Sequence, residues 1–211
     1  MDFVSILFYL DLSNIQISMN FTLFLSKITQ LKNIKLGGLD AQFELAPKMR
    51  LQYSAEKIRA KNPKKAAVLA LFYPDKKNRT CFLLTQRASY NGTHSAQISF
   101  PGGKVEAADK NLAETALRET HEEVGIAQNS VTIIRELTDV YIPPSNFLAT
   151  PFIGHIDKQP QFKVNHEVDA TIEILLDDLF DDSNISSINM TTSYAKNIDV
   201  PCFQLNGYIV W

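Results

Sequence analysis

Residues 102–126, GGKVEAADKNLAETALRETHEEVGI, constrain the fold more tightly than any other stretch of the chain. They open on a Gly-Gly turn and pass through a polar loop at residues 106–111. A helix follows, ending at Val124, with Gly125 as its natural stop. At about 100° per residue, Ala113, Ala116, Leu117, Thr120 and Val124 fall on one arc of that helix. Glu119, Glu122 and Glu123 fall on the opposite arc, with Thr115 among them. Carboxylates this close repel, by roughly a few tenths of a kcal/mol per like-charged i,i+4 pair. A divalent cation is the simplest compensation, because hard cations take oxygen ligands from a few carboxylates plus substrate phosphates. Arg118, beside the cluster, can hold one carboxylate by a bidentate pair. Taken alone, a Glu-rich helical face is more often simply solvated.

The chain has 211 residues, which suits one domain with a substantial core. A formal net charge of -2 gives no support for sequence-independent nucleic-acid binding. Cys81 and Cys202 lie in apolar, strand-like surroundings without metal-ligand spacing. They read as reduced core thiols of a cytoplasmic protein.

Residues 3–10 are apolar but too short to span a bilayer. No Lys or Arg precedes them and Asp2 and Asp11 flank them, a poor signal peptide. Met19 is therefore expected as the native start, with residues 1–18 an upstream extension. Residues 19–62 read as a helical lead-in: Phe21, Leu23, Leu25, Ile28 and Leu31 have helical spacing, and 32–62 is polar and mixed, covering one edge. Residues 63–211 form the main domain. Within it, 65–74 and 80–88 read as a hairpin about a charged turn. Residues 98–100 are a short strand, and 131–142 and 147–156 are strand-like runs split by Pro143 and Pro144. Residues 169–180 are expected to contain a helix, from the spacing of Ile172, Leu175, Leu176 and Leu179. A polar loop at 181–187 precedes weaker strands at 188–192 and 200–205 and a final strand at 208–211. The pattern predicts an α+β fold, sheet on sheet with flanking helices.

Arg118-Glu119-x-x-Glu122-Glu123-x-Gly125-Ile126, preceded by Gly102-Gly103, resembles the Nudix box, G-x5-E-x7-R-E-U-x-E-E-x-G-U with U aliphatic. Asp109 fills the first acidic position, the run to Arg118 is one residue longer than the general box, and Thr120 stands at the aliphatic position. The lengthening lies in the loop, so the carboxylate geometry should survive it. Upstream, Leu83-Leu84-Thr85-Gln86-Arg87-Ala88, then His94, Gln97 and Phe100-Pro101-Gly102-Gly103, resembles the signature of the coenzyme A pyrophosphatase branch of Nudix hydrolases, which carries the same longer box. The signature's second arginine falls on Gly92 and its glycine on Ala96. The lost arginine removes a bidentate phosphate contact, for which Arg87, Lys104 and the upstream lysines are the candidates. Asn165-His166-Glu167-Val168 resembles a D-E-V segment of that branch, which makes Glu167 the candidate for a fourth acidic group reaching the metal site from a loop.

The resemblance implies a Nudix fold, mixed β-sheets sandwiched between α-helices. It implies Mg²⁺- or Mn²⁺-dependent hydrolysis of coenzyme A or an acyl derivative to 3′,5′-ADP and 4′-phosphopantetheine. Glu119, Glu122 and Glu123 would hold the metal with the carbonyl of Gly103 or Gly102. Arg118 would orient Glu119, and the general base would be Glu119 or Glu167. Arg87, His94, Gln97 and Lys104 would meet the substrate, while His121, at a variable position, would be supporting or exposed. Two other readings stay open. One is a Nudix hydrolase of ADP-ribose, a dinucleotide or a nucleoside triphosphate. The other is a catalytically silent binding module, which loss of box carboxylates would favour; none is lost. The partner implied is a small nucleotide-diphosphate molecule, not nucleic acid or a membrane. Relatives often form homodimers, though no exposed apolar stripe argues for one here. Residues 209–211 resemble the point where relatives continue into a terminal helix, so either the fold is trimmed there or the sequence is truncated.

Overall fold

The computed structural model describes residues 18–44, 46–88, 97–191 and 197–211. The expected extension at 1–18 falls almost wholly outside them, as do Gly92, His94 and Ala96. In chain order the elements are α1 (Phe21–Ser26), α2 (Ile28–Asn33), α3 (Gly38–Glu44), a 3₁₀ turn, α4 (Ala55–Ala60), β1 (Lys64–Pro74), β2 (Thr80–Arg87), β3 (Ile98–Ser99), β4 (Gly102–Lys104) and α5 (Leu112–Val124). Then come β5 (Thr132–Glu136), β6 (Val140–Ile142), β7 (Phe147–His155), β8 (Val168–Leu175), α6 (Leu176–Phe180), β9 (Ile185–Met190), β10 (Ile198–Leu205) and β11 (Tyr208–Val210). The fold is α+β, as expected.

Strand β1 organises the molecule. Its alternation sends Ala67, Leu69, Leu71 and Tyr73 into one core cluster and Ala70 and Phe72 into the other. Both faces are buried, so the strand reads as an unbroken apolar run. On one edge β7 runs parallel to it along residues 64–72. On the other edge β2 pairs with it antiparallel only at Phe72, Tyr73 and Pro74, and β4 takes over at Ala66, Ala67 and Val68. Strand β2 then leaves to pair with β8 and β3, while β5 and β6 line the outer side of β7. Strands β9–β10–β11 make a second sheet. Helix α5 covers one face of β1. The N-terminal helices cover the other, where Phe24 stacks on Phe72 at 5.0 Å and on Phe21 at 5.7 Å.

Several segments differ from their sequence reading. Residues 169–180 are mostly strand: β8 precedes a helix of only five residues, α6. Val168, Ile172 and Ile174 alternate toward the core while β8 pairs with β2 from Cys81 to Arg87, and this partner outweighs the helical spacing of the four aliphatic residues. The run 131–142 breaks between β5 and β6, where the Leu137 N–H donates to the Pro151 carbonyl and Asp139 accepts from the Thr150 hydroxyl. The polar loop is shorter than expected because β9 begins at Ile185. Residues 32–62 hold two further helices and a 3₁₀ turn. Both cysteines are buried and free. Among the described residues no helix is long and apolar enough to cross a membrane.

Candidate active site

Helix α5 begins where Asn111 accepts the Glu114 N–H at 2.9 Å and ends at Gly125, whose φ of 77° lies in the left-handed region. Ala116 and Val124 are fully buried against the sheet. Thr120, at the aliphatic position, donates its hydroxyl to the Ala116 carbonyl at 2.7 Å, so its burial leaves no polar group unpaired. The two-arc division of the helix needs correction. Thr115 and Glu123 are buried from their own side, at 0% and 2% exposure, while Ala113 and Leu117 are only partly covered. Glu123 and Thr115 on the carboxylate side thus face other parts of the protein, while Glu122 stays exposed to water.

Strand β4 is what covers it. The Gly102 N–H donates to Glu123 Oε2 at 3.1 Å. At Gly103 a Cβ would press on the Glu119 carboxyl carbon and push that carboxylate aside, whereas at Gly102 it would meet the Ala67 carbonyl oxygen, a backbone approach that requires glycine. Burial pushes the Glu123 carboxyl up to about 7, with the charges of Glu119 and Glu167 adding to the rise. Burial likewise raises Glu119, with Glu122 and Glu167 adding and Arg118 opposing.

Arg118 is anchored on the loop that precedes the helix. Its Nε donates to Asp109 Oδ1 at 2.9 Å and its Nη2 to Asp109 Oδ2 at 3.0 Å. The bidentate partner is thus Asp109, not one of the three glutamates. Nη2 also donates to the Lys104 carbonyl at 2.9 Å, and Nη1 reaches Glu119 at 3.1 Å and Glu122 at 3.0 Å. Asp109 accepts two further bonds, from the Thr115 hydroxyl and the Glu106 N–H, both at 2.9 Å. The Arg118 hydrogen bond in particular holds its carboxyl well below the usual range. Thr115 carries a role that sequence reading missed; its six-residue spacing from Asp109 across a loop gave no signal.

Glu167 arrives on a loop tied to the end of α5: the Lys163 N–H donates to Val124 O at 2.9 Å and the Asn165 N–H to Glu123 O at 3.1 Å. The Asn165 side chain accepts the Glu167 N–H at 2.8 Å. Arg87, at the end of β2, stands between the two elements. Its Nη1 is 3.4 Å from Glu123 and its Nη2 3.3 Å from Glu167. Gln97 is brought alongside, its carbonyl accepting the Arg87 N–H at 2.9 Å. Lys104 follows Gly103, and its ammonium lies 5.8 Å from the Phe147 ring centroid, a ring shared with Lys64. His94 lies outside the described residues. His121 is exposed, with Nδ1 3.1 Å from the Ile126 carbonyl.

A divalent cation suits this donor set. The side chains are hard oxygen donors, the half-buried Glu119 and the buried Glu123 are both raised by desolvation and neighbouring carboxylate charge, and glycine keeps the adjoining backbone close. Among the described residues no three such side chains stand together in coordinating arrangement as they are. Their oxygens are held by Arg118 and Arg87.

The NUDIX domain family model matches residues 63–187. Mitochondrial coenzyme A diphosphatase NUDT8 of Homo sapiens is 30% identical over 176 residues, 82% of this chain and 74% of that protein. The uncharacterized Nudix hydrolase NudL of Pectobacterium atrosepticum is 39% identical over 103 residues, 46% of this chain and 51% of its own length. The chain thus spans about half the length of several of the curated relatives it matches. Among solved structures, the Nudix hydrolase RenU of M. smegmatis aligns over 56% of this chain and 74% of that one, with 21% identity and a TM-score of 0.48.

Proposed function

The chain belongs to the Nudix family, and from that premise we propose that it is a divalent-metal-dependent hydrolase cleaving the pyrophosphate of coenzyme A or an acyl-coenzyme A. The products are 3′,5′-ADP and 4′-phosphopantetheine or its acyl form. The observation that most supports hydrolysis is the pair Glu119 and Glu123, a half-buried and a buried carboxylate on one helix, packed against the Gly102–Gly103 strand. Coenzyme A as substrate draws its support from the human relative's name and from the Leu83–Gly103 signature.

Glu119, Glu122 and Glu123, with the Gly103 carbonyl, would hold Mg²⁺ or Mn²⁺. When bound, the cation supplies Lewis acidity toward phosphoryl oxygens and makes a water easier to deprotonate. The remaining work belongs to the protein. Arg118, locked to Asp109, sets the orientation of Glu119 and Glu122, the kind of support that tunes ligand geometry. Glu119 or Glu167 accepts the proton of the attacking water. Arg87, Gln97, His94 and Lys104 orient the substrate, with Arg87 suited to bidentate phosphate contact.

The test is chromatographic product analysis after incubation with Mg²⁺ or Mn²⁺, separately with coenzyme A and with ADP-ribose. Release of 3′,5′-ADP from coenzyme A at the higher kcat/KM is expected. Preference for ADP-ribose would overturn the substrate assignment, and hydrolysis of neither would overturn both of these substrates and leave a different diphosphate.

A further inference from the structure

We infer that Arg87 is an internal counter-ion that competes with the cation for Glu123 and Glu167, so that cation and substrate-phosphate binding reinforce each other. This rests on the metal-dependent reading above and concerns how the same site is loaded.

The backbone keeps Arg87 where it is. Its N–H donates to Gln97 O, it pairs with Val168 of β8 just after a register shift at Gln86, and the next N–H, of Ala88, donates to Glu167 O at 2.8 Å. Arg87 and Glu167 are therefore neighbours by sheet pairing, whatever their side chains do. The guanidinium spreads its two Nη atoms over two different carboxylates, at 3.4 and 3.3 Å. Charge-assisted N–H···O bonds are normally about 2.7–2.9 Å, so both pairs are loose. Nε, the remaining donor position, is buried and without a hydrogen-bond partner among the described residues. A planar fork made for bidentate recognition is engaged on neither carboxylate bidentately.

Glu123 is 2% exposed and needs a positive neighbour. Arg118 is not available to it, being committed to Asp109, the Lys104 carbonyl, Glu119 and Glu122. Arg87 fills the need, and in doing so occupies oxygens that a cation would require. A phosphate offers Arg87 a better partner than two half-made pairs. Once Arg87 turns to it, Glu123 and Glu167 are free for the cation. Linkage makes the effect reciprocal: phosphate tightens cation binding by the factor by which cation tightens phosphate binding.

The experiment is calorimetric titration of Mn²⁺ into the full chain, with and without AMP as the phosphate probe and corrected for Mn²⁺ binding to AMP alone. The proteins are the wild type, Arg87→Gln and Arg87→Lys. In the wild type AMP should tighten Mn²⁺ binding about tenfold, within the usual range of such couplings. Arg87→Gln should bind Mn²⁺ about tenfold more tightly than wild type without AMP, and AMP should then add little. Arg87→Lys, keeping the charge, should stay near wild type without AMP. Thermal unfolding without added cation should fall for Arg87→Gln, reporting a folded protein that has lost its counter-ion. Unchanged or weaker Mn²⁺ binding in Arg87→Gln, or absence of the AMP effect in the wild type, would overturn the inference alone. Failure of every protein to bind Mn²⁺ would overturn the metal-dependent reading as well.

Discussion

Asp109 is 4% exposed at its side chain and carries both ends of the Arg118 fork. Its carboxyl is held below the ordinary range, so its contribution to stability is complete above the unfolded value of about 3.9 and is lost as pH falls below it. Asp109→Asn should cost about 2 kcal/mol at neutral pH, by removing the charged partner of a partly buried guanidinium that keeps Glu119 and Glu122. It should also flatten the loss of stability below about pH 4; urea midpoints across pH would measure both. Glu122 is the most exposed box carboxylate, with 49% of its side chain accessible. Glu122→Gln is accordingly expected to leave the melting temperature within a few degrees of wild type. Turnover should nevertheless fall by about two to three orders of magnitude, the scale of losing one electrostatic contact at a reacting group. Undiminished turnover in a folded Glu122→Gln protein would refute its assignment to the metal. The box carboxylates and Arg118 were legible as residues, whereas the identity of Arg118's bidentate partner was not, because that pair joins a loop to a helix nine positions away.

Two devices set the register of α5. Asn111 caps its first turn and Gly125 ends it. Asn111→Ala should destabilise the fold by about 1 kcal/mol, read as a shift of the denaturant midpoint at constant m-value. Gly103→Ala acts differently. Its methyl would meet the Glu119 carboxyl, so it should weaken cation binding and turnover far more than it lowers stability. Titration calorimetry and unfolding of the same protein would separate the two effects. Both ends of the helix are readable from sequence because capping is local chemistry. Strand β8 was not. Ile172, Leu175, Leu176 and Leu179 satisfy a helical period, and only pairing with β2 makes Val168, Ile172 and Ile174 a strand face.

At the scale of the molecule, the lead-in is part of the core. Phe21, Phe24 and Leu31 are buried with Phe72, Phe82 and Ile153, and Arg135 donates to the Leu31 and Ile34 carbonyls, closing the end of α2. Phe24→Ala should therefore cost about 3 kcal/mol in a single cooperative transition monitored by circular dichroism. A separate low-temperature transition would show the helices to be independent of the sheet. The sequence by itself determined the hairpin of β1 and β2, the limits of the box helix, the identity of its acidic and basic residues and the family. Each of these rests on short-range spacing, capping or turn chemistry. Only the tertiary structure decided that Glu123 is buried, that Arg118 belongs first to Asp109, and that Arg87 stands between Glu123 and Glu167. Those facts depend on strands and loops distant in sequence meeting at the end of β2, a matter of sheet pairing and packing that no local pattern encodes.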